Sequence, residues 1–192
     1  MSFPITKKVR EKLISDGYFV VTEVNFEVVK SLISWILNNR PDKKEFTIVI
    51  NSPGGDPAAV VYLASFFRFL KKEVKLHGIA FGECGSAALA MLQLCHKRSA
   101  ALNTGFFIHH LQRTIKMSCQ ETDLSVVKKK LADAKQTEHE LVKIQRARTG
   151  LSAKKWERLA DRGEEFSGRA IMAKEAKELG LIDAVLRQFD LF

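Results

Sequence analysis

Ser86 follows Gly85 and precedes a run of small residues, Ala87-Ala88-Leu89-Ala90. Such a setting lets a serine sit at a tight strand-to-helix turn with its hydroxyl exposed, as a nucleophile must. The pattern is not Gly-x-Ser-x-Gly, and a serine at a helix start also serves as a plain N-cap. A helix beginning there would aim its unpaired N–H groups and positive dipole end at an oxyanion formed beside Ser86, with the Ala87 N–H nearest. Ser52-Pro53-Gly54-Gly55 can add donors, because glycine backbone presents N–H groups with no side chain in the way. The bland reading of that stretch is a turn between strand and helix. His109 closes the apolar run Phe106-Phe107-Ile108, and in α/β architectures reactive groups collect at the C-terminal ends of strands. A strand-end histidine can equally be a hydrogen-bonded structural residue. His110 is the rival base, but side chains alternate along a strand, so it should face the other way.

Short β-rich runs alternate with helical patterns through the first two thirds of the chain, the mark of βα units around a largely parallel arrangement. Strands are expected at Tyr18 to Thr22, Phe46 to Ile50, Val74 to Ala80 and Phe106 to His109, with a last short one ending near Leu186. Asn25 can cap a helix to about Asn38, with Phe26, Val29, Ile33 and Ile36 or Leu37 on its inner face. Further helices are expected over Ala58 to Leu70, Ala87 to Leu94, Leu151 to Leu159 and Ala173 to Leu179. Gly82 to Gly85 reads as the turn that delivers Ser86 to its helix. From Leu124 to about Arg148 the pattern is one long charged helix with Leu124, Val127, Leu131, Ala134, Leu141 and Ile144 on its apolar stripe. A helix so polar elsewhere should project.

A length of 192 residues with 46% hydrophobic content suits one domain with one core. No apolar run approaches the roughly 20 residues of a membrane-spanning helix. The N-terminus lacks the apolar region and cleavage site of an export signal, so a cytoplasmic location is expected. Cys84, Cys95 and Cys119 form no zinc or redox spacing, and no metal or cofactor is expected. The net charge of +9 is spread over helical segments without interleaved aromatic residues, which favours solvated faces over a nucleic-acid site.

Taken in order, Ile50-Asn51-Ser52-Pro53-Gly54-Gly55, Gly82-x-x-Gly85-Ser86, Phe107-Ile108-His109 and Glu175-Ala176-Lys177-Glu178-Leu179-Gly180-Leu181-Ile182-Asp183 resemble the Clp protease proteolytic subunit family. The resemblance covers roughly Leu13 to Leu186. It implies an α/β fold, the crotonase-like ββα superhelix, over residues 1–192, with a short N-terminal segment at 1–12 and a protruding handle helix at about 122–149. It implies a serine peptidase that cleaves peptides or unfolded proteins inside a homo-oligomer of heptameric rings, a tetradecamer where two rings pair. Ser86 matches the nucleophile, His109 the base, and the backbone N–H groups of Gly55 and Ala87 the oxyanion hole.

Two departures carry consequences. The chain is longer than the family pattern before Glu175, so the acidic member depends on gap placement: Glu164 takes the position if the extra residues follow Phe166, and Gly168 takes it otherwise. In the second case the site is a dyad or borrows Asp161 or Glu165. Little precedes Leu13 where the family has an axial hairpin for an ATP-dependent unfoldase, and Leu111 to Gln120 is longer than expected where rings pair. The unfoldase and the ring count are therefore left open. Two other readings remain beside the peptidase: a catalytically silent subunit of this fold, and a crotonase-fold acyl-CoA enzyme, which uses paired N–H donors but no Ser/His pair.

Overall fold

A computed structural model describes residues 5–70, 74–110, 124–164 and 170–187, with only the backbone described at 162–164. The chain opens with α1 (Lys7–Ser15), whose start is capped by the Thr6 hydroxyl accepting from the Val9 N–H. No residue of α1 is buried, so it carries no apolar stripe by which the sequence could announce it. After β1 (Phe19–Val21), the Asn25 side chain accepts from Val28 N–H at 2.9 Å and starts α2 (Phe26–Asn39). The stripe of α2 is centred on Val29, Leu32 and Ile36, whereas Phe26 and Leu37, expected inside, are each 38% exposed. Spacing of 3 and 4 fits both sets, and the sheet selects the one that interlocks with it.

β2 (Glu45–Ser52) leads to α3 (Pro57–Phe69), which combines an Asp56 N-cap with Pro57 at its first position. β3 (Lys75–Gly85) runs five residues past its expected end at Ala80 and delivers the chain directly to α4 (Ser86–Gln93). The supposed turn at 82–85 is strand. Its first half pairs with β4 (Lys97–Ala101), and beyond Gly82 it pairs instead with β5 (Gly105–Phe107). β4 escaped the sequence reading because Lys-Arg-Ser-Ala-Ala has neither β-branched residues nor alternation. β5 stops at Phe107, two residues short of His109.

The chain continues through α5 (Leu124–Arg146), α6 (Ala153–Glu164), β6 (Ile171–Met172), α7 (Ala173–Glu178) and β7 (Ala184–Leu186). The sheet order is β1-β2-β3-β4-β7, all parallel, while β5 pairs with the far end of β3 and β6 runs antiparallel to β5. The C-terminal half of α5 joins the core through Leu141 and Ile144, with Gln145 buried beside them, while Leu124 is 72% and Leu131 47% exposed. The first half of the expected stripe thus faces away from this chain's core, as a projecting helix requires. Leu111 to Gln120 lies outside the described residues. Among the described residues no helix is long and apolar enough to cross a membrane.

Arg98 of β4 ties the C-terminal part of the chain to the sheet. Only 4% exposed, it donates from Nη2 to Asp183 Oδ1 at 2.5 Å, from Nη1 to Gln93 Oε1 at 2.5 Å, and from Nη1 to the Gly180 carbonyl at 2.9 Å. The Arg98 N–H also donates to Asp183 Oδ2. Arg148 adds hydrogen bonds to the Cys95 and His96 carbonyls. Partial burial alone would raise the Asp183 carboxyl, but the Arg98 hydrogen bonds and charge outweigh it and hold the group below its usual range.

Arg98→Met takes the guanidinium from Asp183, the Gln93 oxygen and the Gly180 carbonyl, leaving Asp183 the residue-98 N–H and the more distant Arg148, and urea unfolding should show a loss of about 2–4 kcal/mol, the lower end reflecting the partly exposed Asp183. The unfolded chain binds a proton at Asp183 before the folded chain does, so this part of the stability is present above about pH 4 and is lost as pH falls further. Unfolding midpoints measured from pH 6 to 3 should fall less steeply in Asp183→Asn than in the wild type.

Candidate active site

Gly85 ends β3 in an extended conformation, and at Ser86 the backbone swings to φ +49°, the one positive φ of a non-glycine among the described residues. For an L residue this region costs roughly 1–2 kcal/mol, so the surroundings must impose it. Two contacts do so. Gln145 of α5, almost wholly buried, donates from Nε2 to the Ser86 carbonyl at 2.9 Å. From the other side the β2–α3 loop closes so tightly that a Cβ at Gly54 would come within 2.8 Å of Ser86 Cβ and 3.2 Å of the Ala87 nitrogen. The serine side chain is left half-buried at the first position of a helix whose next seven residues are all buried.

The loop is fixed by its own hydrogen bonds. Gly54 N–H donates to Ser52 Oγ at 3.2 Å, Val24 N–H donates to the Gly54 carbonyl, and Asp56 N–H donates to the Val24 carbonyl. Gly55, at φ +141°, lies so close to Val24 that an added Cβ would sit 2.1 Å from its carbonyl oxygen. Its N–H takes no part in these bonds, and Gly55 is exposed. The N–H groups at the start of α4 have no partner within their own helix and are suited to a developing negative charge.

The β3–β5 register ends with Gly85 opposite Phe107, one residue before Ser86 on one strand and two before His109 on the other. Ile108 is 2% exposed, whereas His109 is half-buried. His109 Nδ1 lies 2.6 Å from the His110 carbonyl. A carbonyl can only accept, so this contact is a hydrogen bond with the proton on Nδ1, and the neutral ring that makes it has its lone pair on Nε2. His110 turns to the helices instead, with Nε2 3.1 Å from Asp161 Oδ1 on α6 and Nδ1 3.7 Å from Glu138 Oε1 on α5. Asp161, one of the alternative acidic members, is therefore engaged with His110. Glu164 is the last residue of α6, one helical turn beyond Asp161, with its side chain outside the described set; Glu165 and Gly168 lie outside it altogether.

Cys84, two residues before Ser86, is no rival nucleophile, since burial pushes its thiol far up and keeps it protonated. A cleft of about 380 Å³ between α3, α4 and α5 lies at the Gln93–Leu94 end of α4, opposite the Ser86 end, and takes no part in this geometry. Gln145 and the His110 contacts were missed from sequence. The signal for Gln145 was its position four residues after Leu141, a polar side chain on an apolar stripe.

A model of the Clp protease family matches residues 5–189. The ATP-dependent Clp protease proteolytic subunit 1 of Thermobifida fusca is 24% identical over 185 residues, covering 95% of this chain and 78% of that protein. The ATP-dependent Clp protease proteolytic subunit of Streptococcus uberis is 24% identical over 183 residues, covering 94% and 89%. The ClpP protease catalytic domain from Plasmodium falciparum superposes with a TM-score of 0.69 at 23% identity over 97% of this chain and 94% of that one, which shows the shared crotonase-like fold.

Gly54→Ala adds a methyl group at φ +127° against Ser86. The strain alone costs about 1–3 kcal/mol. An unchanged urea midpoint in this variant would contradict the close approach of loop and serine.

Proposed function

This chain belongs to the Clp protease family, and we propose that its serine peptidase chemistry is carried by Ser86 as nucleophile, with His109 as general base. The observation that carries this assignment is the strained Ser86 turn, since a backbone held in a disfavoured conformation at a helix start beside two glycines serves exposure of a hydroxyl better than it serves folding. His109 Nε2 takes the Ser86 proton as Oγ attacks the peptide carbonyl. The N–H groups of Gly55 and Ala87 receive the oxyanion. The imidazolium then protonates the leaving amine, and water releases the acyl-enzyme by the same steps in reverse. No step uses a metal or cofactor.

Glu164 completes the site as its acidic member. With Nδ1–H bonded to the His110 carbonyl, Glu164 acts through its charge on the imidazolium rather than by setting the tautomer. The substrates are peptides or unfolded proteins, and the assembly is a homo-oligomer of heptameric rings, a tetradecamer where two rings pair, in which the outward half of α5 serves as the handle between rings. The exposed Leu124 and Leu131 suit burial against another subunit. The location is cytoplasmic. An ATP-dependent unfoldase is a further partner of this reading, tested by whether peptide hydrolysis proceeds unaided.

Ser86→Ala should abolish labelling by a fluorophosphonate and lower peptide turnover by about 10³-fold or more. Equal turnover by wild type and Ser86→Ala would sink the assignment. Glu164→Gln should reduce kcat by about tenfold, well short of the roughly 10⁴-fold loss seen when a carboxylate also controls the tautomer.

A further inference from the structure

In a serine–histidine site the third group both fixes the imidazole tautomer and stabilises its charged form. Here the first task belongs to a neutral acceptor, the His110 carbonyl at 2.6 Å from His109 Nδ1. What holds that carbonyl still is then a question about His110. Its ring has three neighbours: Asp161 Oδ1 at 3.1 Å from Nε2, Trp156 in a T-shaped contact at a centroid distance of 5.6 Å and 80°, and, beyond hydrogen-bond distance, Glu138 Oε1 at 3.7 Å from Nδ1. Trp156 is 4% exposed and belongs to the core cluster, so it gives the ring a fixed wall. Asp161 and Trp156 both come from α6, and Glu138 comes from α5. Among the described residues β5 and its pairing end at Phe107, three residues before His110.

We propose that His110 is a positioning residue of the hydrolytic site: the Asp161 hydrogen bond clamps its imidazole against Trp156, with the Glu138 carboxylate nearby, and the clamp fixes the backbone carbonyl that keeps His109 in the Nδ1–H tautomer. The inference rests on the Ser86–His109 reading above and deepens it. The carboxylates act one residue removed from the base. They come from the helix that carries Glu164 and from the long helix that also holds the Ser86 carbonyl through Gln145. Loss of the clamp frees the His110 peptide to rotate, Nδ1 loses its acceptor, and the imidazole populates the tautomer that cannot take the Ser86 proton. Substrate binding, which does not depend on that tautomer, is left as it was.

The test is the Glu138→Gln/Asp161→Asn double variant of the full chain. Nitrogen-15 NMR of the His109 ring should show the Nδ1-protonated tautomer in the wild type and a mixture in the variant. Peptide hydrolysis should lose about ten- to hundredfold in kcat, the usual size of an outer-shell effect, with KM within about twofold. Asp161→Glu should recover most of the activity. If the double variant does not fold, Asp161→Asn alone serves, because that side chain is 69% exposed and its replacement leaves the core untouched. An unchanged tautomer overturns the proposal whether kcat falls or not, since a fall would then be merely structural. A wild type that is not labelled by fluorophosphonate at Ser86, yet shows a clamp-dependent tautomer, sinks the hydrolytic reading alone.

Discussion

The backbone at Ser86 is the constraint on which the rest of the site depends. A residue with a side chain persists at φ +49° only where its neighbours leave no cheaper conformation. β3 supplies an extended Gly85 on one side and α4 begins at once on the other, so the chain has no slack at the junction. Gln145 then donates to the Ser86 carbonyl, and Gly54 approaches so closely that a Cβ there would lie 2.8 Å from Ser86 Cβ. These contacts come from positions far apart in sequence. The strained turn is therefore a product of the assembled core rather than of the local stretch around Ser86.

α4 carries this burden although it is only eight residues long, a length at which an isolated helix has no stability of its own. It is pinned at both ends. At its start Gln145 holds the first residue, and at its end Gln93 donates to the Leu181 carbonyl and accepts from Arg98. Between them Ala87 to Gln93 are buried, and the alanines allow the sheet and α5 to approach closely. The Arg98–Asp183 clamp thus serves the site at a distance, by fixing the far end of the helix whose near end presents the serine. This gives Asp183, the last residue of the Glu175–Asp183 motif, a structural role distinct from that of the site residues.

Much of this was legible in the sequence, and for identifiable reasons. Periodicity marked α2, α3 and the long α5, because each buries one stripe and leaves the rest to water. Asn25 announced the start of α2 through its capping chemistry. The Gly54-Gly55 loop and Ser86 stood out because glycine and small residues are required where backbones come within van der Waals contact. Other elements gave no such signal. α1 buries nothing, β4 has the composition of a loop, and the extension of β3 to Gly85 depends on β5 arriving beside it.

By itself the sequence determined the alternation of strands and helices, the family, and a serine, a histidine and a glycine loop in the right order, since these reside in residue type and spacing. Only the tertiary structure decided which main-chain groups meet. The strain at Ser86, the donation from Gln145 and the His110 carbonyl on His109 Nδ1 involve backbone atoms that every residue possesses, so no residue type could advertise them. The His110 ring between Asp161 and Glu138 likewise exists only because α5 and α6 pack beside the end of β5. Side-chain chemistry is written along the chain, whereas the orientation of an imidazole is set by whatever the folded backbone brings to its second nitrogen.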